Sequence, residues 1–138
     1  FWSGSQKNLH LEAHETLNLI QEGYDLMYRT WGPSIIRRLG HKPIDVGSGN
    51  EALRAAEAKR FAVVIADYAM PHMTGVELRD VLTAGGCEAE FVIITGDAYA
   101  DELSRRHGIA EDALVRKPFT IDNVRTALRR AIQRLGRR

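Results

Sequence analysis

The sequence predicts an α/β domain with a doubly wound, five-stranded parallel sheet flanked by helices. From about residue 40 onward, short apolar segments alternate with segments of helical pattern, which is typical of parallel strands joined by right-handed helical crossovers. Residues 61–66 and 91–94 are apolar at every position, as expected of strands covered on both faces. The length of 138 residues fits one such domain.

The sequence pattern of the first 40 residues predicts strands and helices less clearly than the rest of the chain does. We expect residues 1–14 to form an N-terminal extension or linker and residues 15–138 to form the domain. Residues 17–20 fit an opening strand. A helix is expected to follow and to end at Gly40, since glycine is favoured just after a helix, although Gly32 and Pro33 interrupt its pattern.

The remaining elements follow in regular alternation. Strands are predicted at residues 43–46, 61–66, 91–94 and 113–115, and helices at residues 51–59, 76–82, 101–107 and after residue 120. Asn50 and Thr120 are the expected N-caps of the first and last of these helices, because their side chains can accept a backbone hydrogen bond. The last helix has an apolar stripe made of Val124, Leu128, Ala131, Ile132 and Leu135.

The composition predicts a soluble cytoplasmic protein. Hydrophobic residues make up 44% of the chain, enough for a buried core. Lysine and arginine number 19 and aspartate and glutamate 18, and the net charge of +1 does not favour nucleic acid or a membrane surface as a partner. The single cysteine, Cys87, excludes an internal disulfide. We find no segment long enough to span a membrane and no signal-peptide pattern.

Three of the predicted strands are followed by reactive side chains, namely Asp67, Thr95 and Lys117. The carboxyl ends of parallel strands meet at one edge of a sheet, where ligands bind. A carboxylate there can attack phosphorus and carry an acyl phosphate. A hydroxyl can donate a hydrogen bond to a phosphoryl oxygen, and an ammonium can pair with the phosphoryl charge. The three residues therefore predict phosphoryl transfer.

Phosphoryl transfer depends on positioning and charge neutralisation, usually with Mg²⁺. Because Mg²⁺ prefers oxygen ligands, we expect Asp67 and the carbonyl oxygen of Ala69 to contribute to its site. Glu22 and Asp25 follow the predicted opening strand and are the acidic candidates for the remaining protein ligand.

Several segments resemble bacterial response-regulator receiver domains. Residues 63–75, Val-Val-Ile-Ala-Asp-Tyr-Ala-Met-Pro-His-Met-Thr-Gly, resemble the phosphorylation loop of that family. Residues 91–96, Phe-Val-Ile-Ile-Thr-Gly, resemble its fourth strand, and residues 115–119, Val-Arg-Lys-Pro-Phe, its Lys-Pro-Phe signature. Residues 40–53 resemble its second strand and the start of its second helix. Order and spacing agree from about residue 40 to 133, and the sequence is most similar to receivers associated with sensor histidine kinases.

The resemblance implies a flavodoxin-like receiver fold with Asp67 as phosphoacceptor, Thr95 as switch hydroxyl and Lys117 as the ammonium that senses the phosphoryl group. It implies Mg²⁺ as cofactor and a cis peptide bond between Lys117 and Pro118, which is otherwise a minority state. The implied phosphodonor is a sensor histidine kinase or a histidine phosphotransfer protein, and a second copy of the chain is a further candidate partner. A receiver promotes its own phosphorylation and dephosphorylation and is not a conventional turnover enzyme.

The sequence departs from this family at two places. The opening strand of a receiver normally ends in two consecutive acidic residues, whereas Glu22 is followed here by Gly23, with Asp25 two residues further on. This departure leaves open a receiver that no longer accepts phosphate and acts as an interaction module. Leu114 stands where an aromatic switch residue is usual, three positions before the lysine, so an aromatic rotamer switch is not expected there.

A dinucleotide-binding domain is the second alternative. Gly47, Gly49 and Ala52 match a Gly-x-Gly-x-x-Ala fingerprint that follows a strand and opens a helix. The strand before it is short, however, and this interpretation leaves Thr95 and Lys117 without a role.

Overall fold

The structure, a computed structural model, describes residues 14–19, 37–38, 41–70 and 72–137. The predicted N-terminal extension lies outside these residues apart from His14. Most of the predicted first helix also lies outside them, and Arg37 and Arg38, which are described, are helical.

Seven strands and four helices are described. The strands are β1 (His14–Leu19), β2 (His41–Val46), β3 (Val63–Asp67), β4 (Ala69–Met70), β5 (Met73–Thr74), β6 (Glu90–Gly96) and β7 (Leu114–Lys117). The helices are α1 (Gly49–Ala58), α2 (Gly75–Ala84), α3 (Asp97–His107) and α4 (Ile121–Gly136), and a 3₁₀ turn at Glu111–Ala113 precedes β7. None of the helices in these described ranges is long and apolar enough to cross a membrane.

Five strands form one parallel sheet in the order β2-β1-β3-β6-β7. This order confirms the predicted doubly wound architecture, in which the order of strands reverses beside β1. β4 and β5 form a separate antiparallel hairpin directly after β3, which no pattern in the sequence indicates.

Helices cover both faces of the sheet. Val64 of β3 packs in one apolar cluster with Ala52 of α1 and Leu78 of α2, and α3 adds Leu103 to the same cluster. The opposite cluster joins strand residues to the predicted apolar stripe of α4, in which Val124, Leu128, Ala131 and Leu135 are buried and Ile132 is partly buried. Every residue of β3 is therefore buried, as its continuous apolar sequence predicted.

Ser48 caps α1, so the prediction of Asn50 as its cap was wrong. Ser48 Oγ accepts a hydrogen bond from the backbone N of Glu51 at 3.1 Å. The helix consequently begins at Gly49, two residues before the predicted start. Serine and asparagine are both good N-caps, and the side-chain bond of Ser48 decides between them.

Thr120 caps α4 as predicted. Thr120 Oγ1 accepts from the backbone N of Asn123 at 3.2 Å, and Asn123 Oδ1 accepts from the backbone N of Thr120 at 2.8 Å. Thr74 and Glu77 make the same reciprocal arrangement at the start of α2. Each capping box satisfies amide groups that the helix leaves without internal partners.

The third helix is longer than predicted, because α3 begins at Asp97 rather than at residue 101. Ala100 and Leu103 are buried against the sheet, so the first turn is used to bury Ala100. The helix ends before Gly108, whose φ of 64° is the left-handed conformation that glycine adopts readily.

Candidate functional site

The three predicted site residues lie at the carboxyl edge of the sheet, on neighbouring strands. Asp67 ends β3 and is paired in register with Ile94 of β6, the residue before Thr95. Lys117 ends β7 and is paired with Gly96, the residue after Thr95. The parallel register therefore brings together three residues that are far apart in the sequence.

Asp67 and Lys117 form an ion pair. Lys117 Nζ lies 3.0 Å from Asp67 Oδ2 and 3.2 Å from Oδ1. The aspartate side chain is 3% exposed and that of the lysine 22% exposed. A third contact comes from the backbone N of Ala69, which donates to Asp67 Oδ1 at 3.2 Å. The carboxylate is thus held in one orientation at the end of its strand.

Burial raises the pKa of Asp67 above its ordinary value, because removal from water disfavours the charged form. The hydrogen bond and the positive charge of Lys117 lower the pKa, as does the N–H of Ala69, but they do not offset the burial. A further positive charge beside this carboxylate would therefore favour its charged form.

Thr95 is buried, with 1% of its surface exposed. Its Oγ1 donates a hydrogen bond to the backbone carbonyl of Gly96 at 3.3 Å. This local acceptor lies at the start of α3, so the hydroxyl connects the site to the first turn of that helix.

The loop after Asp67 depends on Gly75. A β-carbon on Gly75 would lie 2.8 Å from the carbonyl oxygen of Asp67, so only glycine fits against the end of β3. The backbone N of Gly75 also donates to the carbonyl of Tyr68 at 2.9 Å. His72, in the same loop, has a φ of 67°, which residues other than glycine adopt only at an energetic cost.

Sequence reasoning missed the aromatic contact beside the site. The rings of Tyr68 and Tyr99 have centroids 5.4 Å apart and planes tilted by 36°. The two residues belong to the loop after β3 and to α3, and nothing in the sequence marks them as partners. Leu114 is buried at 8% exposure on β7, and the Lys117–Pro118 bond is cis, as the resemblance implied.

The described residues supply part of a site that suits Mg²⁺. Asp67 offers a carboxylate and Ala69 a backbone carbonyl, and both are the oxygen donors that Mg²⁺ prefers. Within the described ranges no cluster of three or more acidic, histidine or cysteine residues suited to a metal is present. Glu22 and Asp25 lie outside the described residues, so their role stays a prediction. Mg²⁺ usually takes only one or two carboxylates from a protein, so the carboxylate of Asp67 and the carbonyl of Ala69 suit this ion.

The turn at residues 47–52, which matches a dinucleotide fingerprint, does not have the arrangement of a pyrophosphate-binding turn. The backbone N of Gly47 donates to Oε2 of Glu51 at 3.2 Å, so a carboxylate occupies a position that a pyrophosphate would need. A β-carbon on Gly49 would lie 2.8 Å from Sδ of Met73, which shows that this glycine permits packing against the hairpin. The geometry does not favour an anionic cofactor at this turn.

The fold is that of a receiver domain, and comparison with known proteins agrees. The sequence model of the response regulator receiver domain family matches residues 18–129. This match covers most of the chain, so the chain belongs to that family. The relationship places it in two-component signalling.

A curated relative is the transcriptional regulatory protein KdpE of Mycobacterium tuberculosis, which is 29% identical over 109 residues, covering 74% of this chain and 48% of the relative. The chain spans about half the length of the curated relatives it matches.

Two solved structures show the same fold. The signal receiver domain of an HD domain-containing protein from Pseudomonas fluorescens Pf-5 has a TM-score of 0.74 at 17% identity, covering 92% of this chain and 100% of the other. The second is the receiver domain of a sensor histidine kinase from Pseudomonas aeruginosa PAO1, described with a magnesium ion coordinated in its active-site cleft. It has a TM-score of 0.69 at 21% identity, and the match covers 88% of this chain and 98% of the other. These likenesses confirm the flavodoxin-like receiver fold.

Proposed function

We propose that this receiver domain accepts a phosphoryl group from a phosphohistidine onto a carboxylate oxygen of Asp67. The observation that carries the proposal is the buried Asp67 carboxylate, held by Lys117 at 3.0 Å and 3.2 Å at the carboxyl edge of the sheet. The donor is a sensor histidine kinase or a histidine phosphotransfer protein.

The transfer forms one bond and breaks one bond. A carboxylate oxygen of Asp67 attacks phosphorus, and the bond between phosphorus and the donor's imidazole nitrogen breaks. That nitrogen keeps the electron pair and takes a proton from solvent if it needs one. Hydrolysis later returns the carboxylate, because water attacks phosphorus and inorganic phosphate leaves. The protein promotes both steps on itself and is proposed not to turn over a separate substrate.

Lys117 and Thr95 have distinct roles in this proposal. The ammonium of Lys117 stays beside Asp67 and pairs with a phosphoryl oxygen, which replaces part of its contact with the free carboxylate. The hydroxyl of Thr95 donates to another phosphoryl oxygen, which is a stronger acceptor than the carbonyl of Gly96 because it is charged. These exchanges carry the chemical state of Asp67 to the interaction face formed by α3, β7 and α4.

Asp67, the carbonyl of Ala69 and either Glu22 or Asp25 would hold Mg²⁺. When bound, the ion supplies positive charge that offsets the charge of the phosphoryl oxygens. The raised pKa of Asp67 is consistent with a carboxylate that Lys117 alone does not neutralise. The cytoplasm is the proposed location, since the sequence has a single cysteine and therefore no internal disulfide.

The test is intact mass spectrometry after incubation with acetyl phosphate and Mg²⁺. The expected result is a gain of one phosphoryl group that EDTA prevents. Asp67→Asn is expected to gain nothing, whereas Asp122→Asn, which removes an exposed carboxylate at the start of α4, is expected to behave as the wild type.

A folded chain that gains no phosphoryl group, either from acetyl phosphate or from a phosphorylated histidine phosphotransfer protein, contradicts the proposal. That result favours a phosphorylation-independent interaction module. The specific observation behind this second candidate is Gly23, which stands where receivers usually carry an acidic residue.

A further inference from the structure

A groove opens between the carboxyl-terminal ends of α1 and α2, at the edge of the sheet where the parallel strands begin. It has a volume of about 590 Å³, and ligand sites usually occupy about 300–1,000 Å³ and have mainly apolar walls. The apolar lining of the groove consists of Leu53, Ala56, Phe61, Val81 and Leu82. Phe61 precedes β3, whereas Asp67 ends it. The groove and the site at Asp67 therefore lie at opposite edges of the sheet.

The wall of the groove belongs to the core, and its mouth is open to solvent. Phe61 and Leu82 are 2% and 5% exposed and are part of the apolar cluster beneath α1, α2 and α3. Val81 is 47% exposed. Gly85 and Gly86 follow α2 and also line the groove, and a β-carbon on Gly86 would meet no atom of the described residues within 4 Å. A ligand can therefore reach an apolar surface that is continuous with the core.

Positive side chains flank this apolar surface. Lys59 and Arg60 lie between α1 and β3, line the groove and are exposed. Among the described residues of the lining, Glu57 is the one acid, so positive charge predominates. The carbonyl ends of α1 and α2 carry only partial negative charges. Because ammonium and guanidinium groups donate strong, charge-assisted hydrogen bonds to carboxylates, this end of the groove suits a carboxylate.

We propose that the groove binds a small carboxylic acid with an aliphatic chain, such as a medium-chain fatty acid. The chain lies against Phe61, Val81 and Leu82, where binding removes apolar surface from water. The carboxylate lies at Lys59 and Arg60 and accepts hydrogen bonds from them. The proposal is independent of the proposed phosphoryl transfer, because it uses no residue of the site at Asp67.

Titrations followed by heteronuclear NMR of the full chain test the proposal with three probes. Octanoate carries both a chain and a charge, octanol carries the chain alone, and acetate carries the charge alone. Octanoate is expected to shift the signals of residues 53–61 and 81–87 until they saturate. Octanol is expected to bind at the same residues about threefold more weakly or worse, because it lacks the charge. Acetate is expected to give no saturating shift, because it lacks the apolar part that the groove would bury.

A variant that fills the groove tests the location. A β-carbon on Gly85 would lie 3.5 Å from the carbonyl oxygens of Val81 and Leu82, which is an ordinary contact, so this position accepts a side chain. Gly85→Leu is expected to weaken octanoate binding about tenfold or more, because its side chain occupies the space of the ligand.

Charge variants test how the carboxylate is recognised. Lys59→Gln combined with Arg60→Gln is expected to weaken octanoate binding about fivefold and to leave octanol binding unchanged. Arg54→Gln is the matched control. It also removes an exposed positive charge from α1, but Arg54 lies outside the described lining of the groove, so this variant is expected to bind octanoate as the wild type does.

Thermal unfolding shows that each variant is folded, and intact mass after acetyl phosphate treatment separates this proposal from the proposed function. Gly85→Leu is expected to gain a phosphoryl group as the wild type does. Octanoate shifts that never saturate, or that are unchanged in folded Gly85→Leu, overturn the proposal. Signals of the groove that move with protein concentration alone also overturn it, since a second copy is then the occupant. A wild-type chain that binds octanoate but gains no phosphoryl group contradicts the proposed function alone.

Discussion

Lys117 Nζ lies 3.0 Å from Oδ2 of Asp67, although the two residues are 50 positions apart in the chain. The ammonium is partly exposed and the carboxylate almost fully buried. Burial nevertheless raises the pKa of Asp67 despite this partner. The pair therefore orients the carboxylate without fully compensating for its removal from water. As a result, the charged carboxylate of Asp67 lowers the free energy of unfolding, whereas the ammonium of Lys117 raises it.

Asp67→Asn is expected to stabilise the metal-free protein at pH 7. The folded pKa of Asp67 is raised above its ordinary value of 3.8, so the native state holds this proton to higher pH than the unfolded chain. The associated stability is present below pH 3.8 and is lost as the pH rises through the folded pKa. Urea unfolding in EDTA between pH 4 and 7 measures the free energy of unfolding of Asp67→Asn and of the wild type. A variant less stable than the wild type at pH 7 contradicts the expectation.

Lys117→Met is expected to lower the free energy of unfolding at pH 7 by about 1–3 kcal/mol, because it leaves a buried carboxylate without its ammonium. The loss should shrink at lower pH, where Asp67 is protonated. Arg125→Met is the control, since its pair with Asp122 is exposed and is expected to contribute at most about 1 kcal/mol. Denaturant unfolding of both variants provides the comparison, and equal losses at pH 7 count against a special role for the buried pair.

Gly75→Ala is expected to destabilise the fold by about 1–3 kcal/mol and to slow phosphorylation, since the added β-carbon would meet the Asp67 carbonyl oxygen at 2.8 Å. Gly47→Ala is the matched control, because its β-carbon would meet only Glu51 Oε1 at an ordinary 3.7 Å. A change within about 0.5 kcal/mol is expected there. Thermal unfolding and the rate of phosphoryl gain report the two effects, and an unaffected Gly75→Ala variant would show that the loop can move aside.

His72→Gly is expected to raise the free energy of unfolding by up to about 1 kcal/mol. The φ of 67° at His72 is disfavoured for residues with a β-carbon and open to glycine. His72→Ala keeps the β-carbon and is expected to show no gain. Thermal unfolding distinguishes the variants, and equal midpoints for both would mean that the loop does not strain this residue.

Much of the fold followed from local patterns in the sequence. The continuous apolar residues 61–66 and 91–94 predicted central strands, and all of these residues are buried as expected. Thr120 predicted the start of α4 because a cap requires a particular side chain at a particular place. Residues at the ends of strands also predicted the site, since strand direction alone brings Asp67, Thr95 and Lys117 to one edge.

Features that depend on tertiary packing were not predictable in this way. The contact of Tyr68 with Tyr99 requires the loop after β3 to lie beside α3, and no periodic pattern encodes that approach. The start of α3 was placed too late because it has no capping side chain to mark it. The close approach of Gly75 to the carbonyl oxygen of Asp67 also emerges only from the packed backbone.

The strand register has a consequence for how the protein matures. Asp67, Thr95 and Lys117 come from three strands, and β7 follows the rest of the sheet in the chain. A growing polypeptide that has left the ribosome only as far as β6 carries the Asp67 carboxylate without the ammonium of Lys117. The complete site forms when β7 docks beside β6, so under the proposed function a phosphodonor meets a competent acceptor only in molecules whose folding has reached β7.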